Sequence, residues 1–476
     1  MEKENQKIKG NENPLGYQKI SSLLANFAIP SIVAMVVSSL YNVVDQIFIG
    51  RGVGYRGNAA TNVAFPITTI CMALTLTIGI GTAARYSLYL GKKQEENAAK
   101  TIGAGICMMI TFGLLYALII GIFHKPMLIA FGATDNILPY AVEYTSITAI
   151  GLPFLLVMNG MSNIARADGS PMYSMVSMLI GAVINTILDP IFIFVFNMGV
   201  GGAAWATVIG QIISCIYAVL YIRKLKRVKL KRKHLTLSFK EMGQTALMGM
   251  SNGMTQIAIT LVQVVMNNLL VYYGAMSEYG ADIPLAASGI VLKVNAIILS
   301  FIIGIVQGMQ PIVGFNYGAK KYGRVKEVYK LAVISELVIT VIGFFIFQLF
   351  PREVLSIFGS GEKEELYFEF AILFMRTFLL LLPLAGIQMI SSNLFSAIGK
   401  PLRGALLSLT RQVFFLIPLM IILPQWMGLM GIMAAAPISD FISFITVMIF
   451  IIHEFRLMNQ KENSIQTTRL AKPVSE

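Results

Sequence analysis

Apolar segments of about 20 residues, separated by short polar stretches, recur along almost the whole chain. A helical segment of that length crosses a hydrocarbon core of about 30 Å. The chain has 476 residues, of which 56% are hydrophobic and 13% are charged, whereas about a quarter of the residues in a soluble domain are charged. The sequence therefore predicts an all-α polytopic membrane protein with twelve transmembrane helices, at 23–49, 59–83, 100–123, 137–164, 172–196, 201–222, 243–273, 284–314, 328–350, 364–397, 402–424 and 430–452.

The basic residues are distributed unequally between the two ends of these predicted helices. If the N-terminus is cytoplasmic, 29 of the 37 lysine and arginine residues fall in cytoplasmic segments, as the positive-inside rule requires. The first residues are polar and contain no apolar core before a cleavage site, so we expect a retained tail and no signal peptide. The sequence thus predicts that both termini are cytoplasmic.

The densest basic run, RKLKRVKLKRKH at 223–234, contributes much of the net charge of +13. It has no interleaved aromatic residues and matches no reading motif, so nucleic acid is not expected as a partner. Polybasic segments beside a membrane are attracted to anionic lipid headgroups. We therefore interpret this run as a linker that lies against the lipid bilayer.

Short motifs from the first half of the chain recur in the same order in the second half. Tyr-Leu-Gly-Lys-Lys at 89–93 returns as Tyr-Gly-Ala-Lys-Lys at 317–321, and Gly-Ser-Pro at 169–171 returns as Gly-Lys-Pro at 399–401. Each half has six spans, an even number, so the two halves enter the membrane from the same side. We expect two pseudo-symmetric six-helix lobes related by an axis along the membrane normal.

This duplication predicts the organisation of the chain and its class. The expected parts are a cytoplasmic N-terminal tail (1–22), an N-lobe (23–222), a basic linker (223–242), a C-lobe (243–453) and a cytoplasmic C-terminal tail (454–476). Repeats of this kind place the substrate site at their interface and transport by rocking one lobe against the other. The chain contains no G-x-x-x-x-G-K-[ST] motif for binding ATP. The two-lobed organisation without this motif indicates a secondary transporter.

Two carboxylates lie deep in N-lobe spans, each with a polar neighbour one helical turn away. Asp45 follows Tyr41 by four residues, and Asp189 follows Asn185 by four residues, so each pair shares a helix face. The next span offers the Thr207 hydroxyl. If the first, fifth and sixth spans meet, two carboxylates, an amide and a hydroxyl converge. Ionisable groups at that depth face the bundle interior and are candidates for function.

The chemistry of this cluster allows three interpretations. Two buried neighbouring carboxylates repel each other, so one of them can hold a proton reversibly near neutral pH. The same hard oxygen ligands can instead coordinate a small cation such as Na⁺. A third interpretation is that each acid caps or braces a broken helix, since Pro190 follows Asp189 and weakens the local backbone hydrogen bonding. At an offset of 230 residues, Asn185 and Asp189 correspond to Phe415 and Leu419, so the C-lobe does not repeat the cluster.

Other charged residues in the spans are less informative. Glu143 and Glu336 lie nearer span ends and can simply be solvated. Arg376, Arg411 and Asp440 belong to neighbouring C-lobe spans, which favours ion pairs between helices. Lys293 is central in its span, where it could oppose a carboxylate across a cavity or extend to the interface.

The stretch ARADGSP…INTILDPIFIF at 165–194, with Pro30, Tyr41 and Asp45 in the first span, resembles the MATE (multidrug and toxic compound extrusion) family and its bacterial MepA-like branch. The resemblance implies two lobes in a V and antiport of amphipathic, often cationic drugs or dyes against H⁺ or Na⁺, with no other cofactor. It also implies a monomer in the bacterial inner membrane. Carried over by position, the coupling site is Asp45, Asn185, Asp189 and Thr207, with Tyr41 and Asn159 nearby.

The resemblance also assigns the remaining candidates. Pro30 is expected to be the point at which the first span bends, and Pro190 is a second candidate hinge. Some family members carry further acids in spans seven and ten, where this chain has Gln256 and Arg376. We therefore treat one set of C-lobe residues as a possible substrate cavity or ion-pair group, namely Lys293, Gln256, Arg376, Arg411 and Asp440.

Two other functions are compatible with parts of the sequence. A lipid-linked precursor flippase of the same superfamily shares this architecture, but it would favour a strongly basic cavity and often carries extra spans. A membrane-embedded enzyme is suggested by G-x-S-x-G at 249–253. That motif requires a strand-to-helix elbow and a histidine partner, whereas in a transmembrane helix Gly249 and Gly253 are more typical of a close-packing face.

Overall fold

The computed structural model describes residues 13–236, 238–357 and 364–470, and within them eleven helices are long and apolar enough to cross a membrane, with a bent pair supplying a twelfth span. We number the spanning helices α1 to α12. Their bounds are α1 Ile20–Gly52, α2 Tyr55–Gly91, α3 Glu95–Ala130, α4 Leu138–Ala167, α5 Pro171–Pro190 with a π-helical turn Ile191–Val195, α6 Gly199–Leu220, α7 Phe239–Ala275, α8 Asp282–Gly318, α9 Tyr322–Leu349, α10a Glu364–Phe378, α10b Leu382–Ala397, α11 Pro401–Met427 and α12 Leu429–Leu470.

The tenth span differs from its prediction as one continuous helix. α10a and α10b are separated at 379–381 and meet at an angle of 48°. Pro383 is the second residue of α10b and has no N–H to donate to the carbonyl four residues earlier, which favours a break at this point. The mean hydropathy of the segment does not reveal such a break because the residues at the break, 379–382, are all leucine.

The C-terminal end of the described chain differs from the simple tail that was predicted. α12 continues as a helix to Leu470, and Lys326 of α9 is paired with Glu462 at 3.0 Å, so most of the segment 454–476 extends the last helix. Residues 471–476 and 1–12 lie outside the described part of the chain. The linker also ends earlier than predicted, since α7 begins at Phe239.

The linker is packed on the N-lobe. The buried Asp168 carboxylate accepts hydrogen bonds from the Tyr86 and Tyr221 hydroxyls and from the Lys226 backbone N–H, the last at 2.7 Å. His234 is buried and its Nε2 lies 3.3 Å from Glu96. The linker therefore forms part of the N-lobe surface, and we call the end of the bundle at which it lies the linker end.

The two lobes, α1–α6 and α7–α12, repeat each other in backbone conformation as well as in sequence. Lys93 and Lys320, which lie 227 residues apart just beyond the ends of α2 and α8, both have φ of 58°, and the two quoted motifs are shifted by one residue relative to this structural match. Gly169 and Gly399 likewise have φ of 87° and 80°. The left-handed conformation is rare for lysine, so its occurrence at matched positions confirms that the halves share one fold.

The lobes meet closely near the linker end. The backbone of α8 at Gly304 and Gly308 approaches the backbone of α1 at Ile32 and Ala28, and the Ser39 and Ser300 hydroxyls, farther from the linker end, are 2.6 Å apart. None of the described hydrogen bonds joins the lobes beyond that serine pair. The lobes therefore form a V whose cleft opens toward the far end of the bundle.

Candidate functional site

The two N-lobe carboxyl groups that the sequence singles out lie next to each other. Asp45 is on α1 and Asp189 is at the end of α5, and their carboxyl groups lie close enough to interact electrostatically. Buried carboxyl groups this close repel each other when both are ionised, which favours a state in which one of them holds a proton. The packing of α1 against α5 thus creates a pair with a place for one proton.

Asn185 joins this pair to α6. Its Nδ2 donates to Asp189 Oδ1 at 3.2 Å and to Thr207 Oγ1 at 3.1 Å. The Asp189 side chain has no solvent exposure and Asn185 is 3% exposed. The structure therefore brings together the four residues Asp45, Asn185, Asp189 and Thr207 from three helices.

Three oxygen atoms of this cluster are buried and have no hydrogen-bond donor among the described residues, namely Asp45 Oδ1, Asn185 Oδ1 and Asp189 Oδ2. Buried polar atoms are nearly always satisfied in native proteins, so each unsatisfied one requires an explanation. Carboxylate and amide oxygens are hard ligands suited to small cations. A site that binds and releases a cation requires oxygen atoms without a hydrogen-bond partner, or a carboxyl group that can gain and lose a proton. This cluster offers both.

The end of α5 has an unusual backbone at this site. The α-helix ends at Pro190, and residues Ile191–Val195 form a π-helical turn. Proline removes one backbone donor, and π-helical segments are frequently found at functional sites. The expectation that Pro190 weakens the backbone ladder beside Asp189 agrees with this change of helix type.

Tyrosine hydroxyls complete the cluster. Tyr41, one turn before Asp45, and Tyr144 on α4 both interact electrostatically with Asp45 and Asp189. Tyr144 was not identified from the sequence, because nothing local indicates which face of α4 meets α1. Asn159 on the same helix donates to the Leu155 carbonyl at 3.1 Å, and no described hydrogen bond links it to the carboxyl groups.

Pro30 lies in the part of α1 that contacts the C-lobe. α1 runs from Ile20 to Gly52 without a break through this proline. The neighbouring residues Ala28 and Ile32 pack against Gly308 and Gly304 of α8. The role of Pro30 as a hinge remains a prediction. The structure places Pro30 between two contacts that join the lobes, one at Ala28 and one at Ile32.

The charged residues of the C-lobe divide into a paired and an unpaired group. Arg411 Nε is 2.5 Å from Asp440 Oδ1, which confirms an ion pair between α11 and α12. Arg376 does not join it, because its Nε donates to the Gln348 backbone carbonyl at 3.1 Å. Lys293 on α8 is exposed, and the half-buried Gln256 lies on α7.

Glu336 contradicts the expectation that it is solvated near a span end. It lies in the middle of α9, has no solvent exposure, and neither carboxyl oxygen has a described partner. Its side chain packs against the backbone of Gly386 on α10b. Glu143, for which the same expectation was made, is indeed exposed.

The glycine motif at 249–253 is part of the contact between the lobes. A Cβ on Gly249 would overlap the Thr77 backbone, and one on Gly253 would lie 2.9 Å from the Ala73 carbonyl oxygen. The motif lies within helix α7, so the elbow that a nucleophilic serine requires is not formed there. The interpretation as a close-packing face is confirmed.

Two duplicated helical lobes, a cleft between them, and a buried cluster of carboxyl, amide and hydroxyl groups in one lobe are the features of a polytopic membrane transporter. The family model MatE matches residues 30–191 and 254–422, and the chain belongs to the MatE family. It is similar to the multidrug export protein MepA of Staphylococcus aureus, strain N315, with 26% identity over 434 residues, covering 90% of this chain and 92% of that protein. The corresponding Staphylococcus haemolyticus MepA is 25% identical over 438 residues.

Solved structures agree with this assignment at the level of fold. A crystal structure of a MATE protein in complex with MaL6 superposes with a TM-score of 0.87 at 20% identity, covering 94% of this chain and 99% of that one. The family expected from the 165–194 stretch is therefore confirmed, as is the fold of twelve helices in two lobes.

Proposed function

We propose that this MatE-family protein is a secondary multidrug efflux transporter that exports amphipathic, often cationic, drugs or dyes in exchange for H⁺ or Na⁺. The observation that carries the coupling is the buried pair Asp45 and Asp189, with unsatisfied oxygens on both residues and on Asn185. A cation entering from one side neutralises this pair, and its release on the other side restores the charge. The rocking of the lobes about their seam at the linker end carries the substrate in the opposite direction.

The driving force is sufficient without ATP. One elementary charge moving through 100 mV releases about 2.3 kcal/mol, and about 1.4 kcal/mol corresponds to a factor of ten. A single cation per cycle at that potential therefore supports a ratio of roughly 50 for a substrate without net charge, whereas one-for-one exchange with a monovalent cationic substrate is electroneutral and is driven by the pH or sodium difference alone. A pH or sodium difference would add to this ratio.

We place the protein in the inner membrane of a bacterium, as a monomer with both termini and the linker in the cytoplasm. The supporting observation is the concentration of basic residues at the linker end, which the positive-inside rule assigns to the cytoplasmic side. The cleft then opens to the outside in this conformation. Small amphipathic molecules and the bilayer are its expected partners, and nucleic acid is not.

The test is dye efflux from vesicles under an imposed pH or sodium difference, comparing wild type with Asp45→Asn and Asp189→Asn. Asparagine keeps the shape but cannot exchange a proton, so both variants are expected to insert normally and to lose gradient-driven efflux. Glu143→Gln is the matched control, because Glu143 is an exposed N-lobe carboxylate. Full gradient-driven efflux in either aspartate variant would refute that residue's role, and efflux driven by sodium alone would exclude the proton.

A further inference from the structure

A cavity of about 1170 Å³ lies between the lobes at the linker end, and we call it the seam cavity. The N-lobe lines it with the end of α2 and the start of α3, and the C-lobe lines it with α7, the end of α8 and the turn before α11. Ligand sites in proteins commonly have volumes of about 300–1,000 Å³. The seam cavity is therefore large enough for a small-molecule ligand, and it is separate from the carboxyl pair of the N-lobe.

Part of the wall of the seam cavity is formed by two matched turns, one from each lobe. Gly91 ends α2, and Gly318 ends α8. A Cβ on Gly91 would lie 2.0 Å from the Phe315 carbonyl oxygen and 3.0 Å from the Gly318 Cα, so the two helix ends are in backbone contact. The turns that follow them, 92–94 and 319–321, therefore lie beside each other across the seam.

The wall of the seam cavity carries a large excess of positive charge. A seventh basic residue, Arg85, is buried and already paired with Glu241 at 2.7 Å. The described lining includes a single carboxylate, that of Glu95. The other six basic residues come from both lobes, and they are Lys92, Lys93, Arg227, Lys320, Lys321 and Lys461.

These six cations have no carboxylate partner in the described part of the chain, because none of its ion pairs includes them. Lys321 Nζ donates to the Gly16 carbonyl at 2.9 Å, and Lys92 lies over the Tyr89 ring. Neither contact neutralises a positive charge. Like charges from the two lobes therefore face one seam, which disfavours its closure unless an anion lies between them.

Two of the six lysine and arginine residues have a backbone conformation that favours glycine. Lys93 and Lys320 both have φ of 58°, a region that glycine occupies without steric cost. Local strain of this kind is often found at ligand sites. Turn geometry alone would favour glycine at both positions, whereas the chain has a long cationic side chain at each.

We propose that the seam cavity binds a phosphate-bearing anion, and that the bound anion holds the lobes together at the linker end. A phosphate group brings negative charge and several strong acceptor oxygens, so it can contact ammonium groups of both lobes together with the forked donors of Arg227. Tyr89, Phe315 and Tyr317 of the same wall provide contacts for an apolar part of the ligand. Because the ligand reaches both lobes only when the linker end is closed, it favours that conformation.

The first experiment is calorimetric titration of pyrophosphate into the full-length protein in nanodiscs of phosphatidylcholine. The double variant Lys93→Gln with Lys320→Gln removes one cation from each turn. It should weaken binding about 20-fold, since an exposed ion pair contributes up to about fivefold. Lys229→Gln with Lys240→Gln is the matched control, because it removes two exposed lysines that do not line the seam cavity, and it should bind as wild type does.

The second experiment separates two sources of the phosphate group, a soluble compound and the headgroup of an anionic lipid. Spin labels at Lys100 and Lys330, which are exposed on α3 and α9, report the distance between the lobes in a background without native cysteines. Pyrophosphate, or replacement of part of the phosphatidylcholine by phosphatidylglycerol, should lower the fraction of long distances relative to sodium chloride at the same ionic strength. A response to pyrophosphate assigns a soluble ligand, and a response to phosphatidylglycerol alone assigns the lipid headgroup.

In either case the Lys93 and Lys320 double variant should lose the distance response, and the control double variant should keep it. Absence of both responses in wild type, or equal responses in the two double variants, would overturn the proposal. Neither experiment requires a gradient or an exported drug. Their failure would therefore leave the proposed export function untouched, and failure of gradient-driven efflux would leave this site untouched.

Discussion

Replacement of Gly308 by alanine is expected to open the protein at the linker end. The added Cβ would lie 2.6 Å from the Ala28 backbone nitrogen and 2.7 Å from its Cα. Ordinary van der Waals contact begins at about 3.4 Å, so α1 and α8 must separate by about 0.8 Å. The blocking atoms belong to the backbone and cannot rotate away.

The energetic consequence follows from this overlap. Inserting a methyl group into a packed interface costs about 1–3 kcal/mol, which changes a two-state ratio by about fivefold to 150-fold. The penalty applies only to the conformation in which the lobes are closed at the linker end. Gly308→Ala should therefore raise the population in which this end is open.

The assay measures the distance between spin labels at Lys100 and Lys330, which are exposed on α3 and α9 near the linker end, in a background without native cysteines. The variant should increase the fraction of long distances. Gly289→Ala is the matched control, because it adds the same methyl group to α8 where no atom lies within 4 Å. Equal distance distributions for the two variants would refute the argument, and a lowered thermal stability without longer distances would also contradict it.

Three further outcomes follow from the described contacts. Arg411→Met should lower stability by about 3 kcal/mol because it leaves Asp440 buried and unpaired, and adding Asp440→Leu should recover much of that loss in thermal unfolding. Glu336→Gln should unfold at the same temperature as wild type or at a higher one, because glutamine avoids the cost of burying an ionisable carboxyl group without a partner; a clear fall would show that the carboxylate charge is used. Asn185→Ala should reduce gradient-driven dye efflux more than Asn159→Ala, since only Asn185 is bonded to the carboxyl pair.

The sequence predicts the fold of this protein well because the membrane restricts the possibilities so strongly. Apolar runs of sufficient length must be helices, and motif pairs at a constant offset reveal the duplication. The features that the sequence does not predict correctly are those that depend on how the helices pack against each other. Hydropathy does not indicate that Glu336 faces α10b or that α10 breaks before Pro383.

The candidate site likewise contains some residues that the sequence predicts and others that it does not. Asp45 with Tyr41, and Asp189 with Asn185, could be found from the sequence because a turn-spaced polar pair is unusual in an apolar helix. Tyr144 could not, because its helix is apolar on several faces and its partners are far away in the chain. The contact between α1 and α5 came from the family resemblance, and the structure supplies its geometry.

α1 connects the carboxyl pair directly to the seam between the lobes. Asp45 and Ala28 are 17 residues apart on one helix, or about 26 Å at a rise of 1.5 Å per residue. One end contributes to the carboxyl pair and the other packs against α8. Pro30 lies beside Ala28 and lacks a backbone donor, so the predicted hinge would bend α1 next to its contact with the C-lobe. We therefore expect that a change in charge at Asp45 that shifts the packing of α1 against α5 acts on the contact that holds the linker end closed.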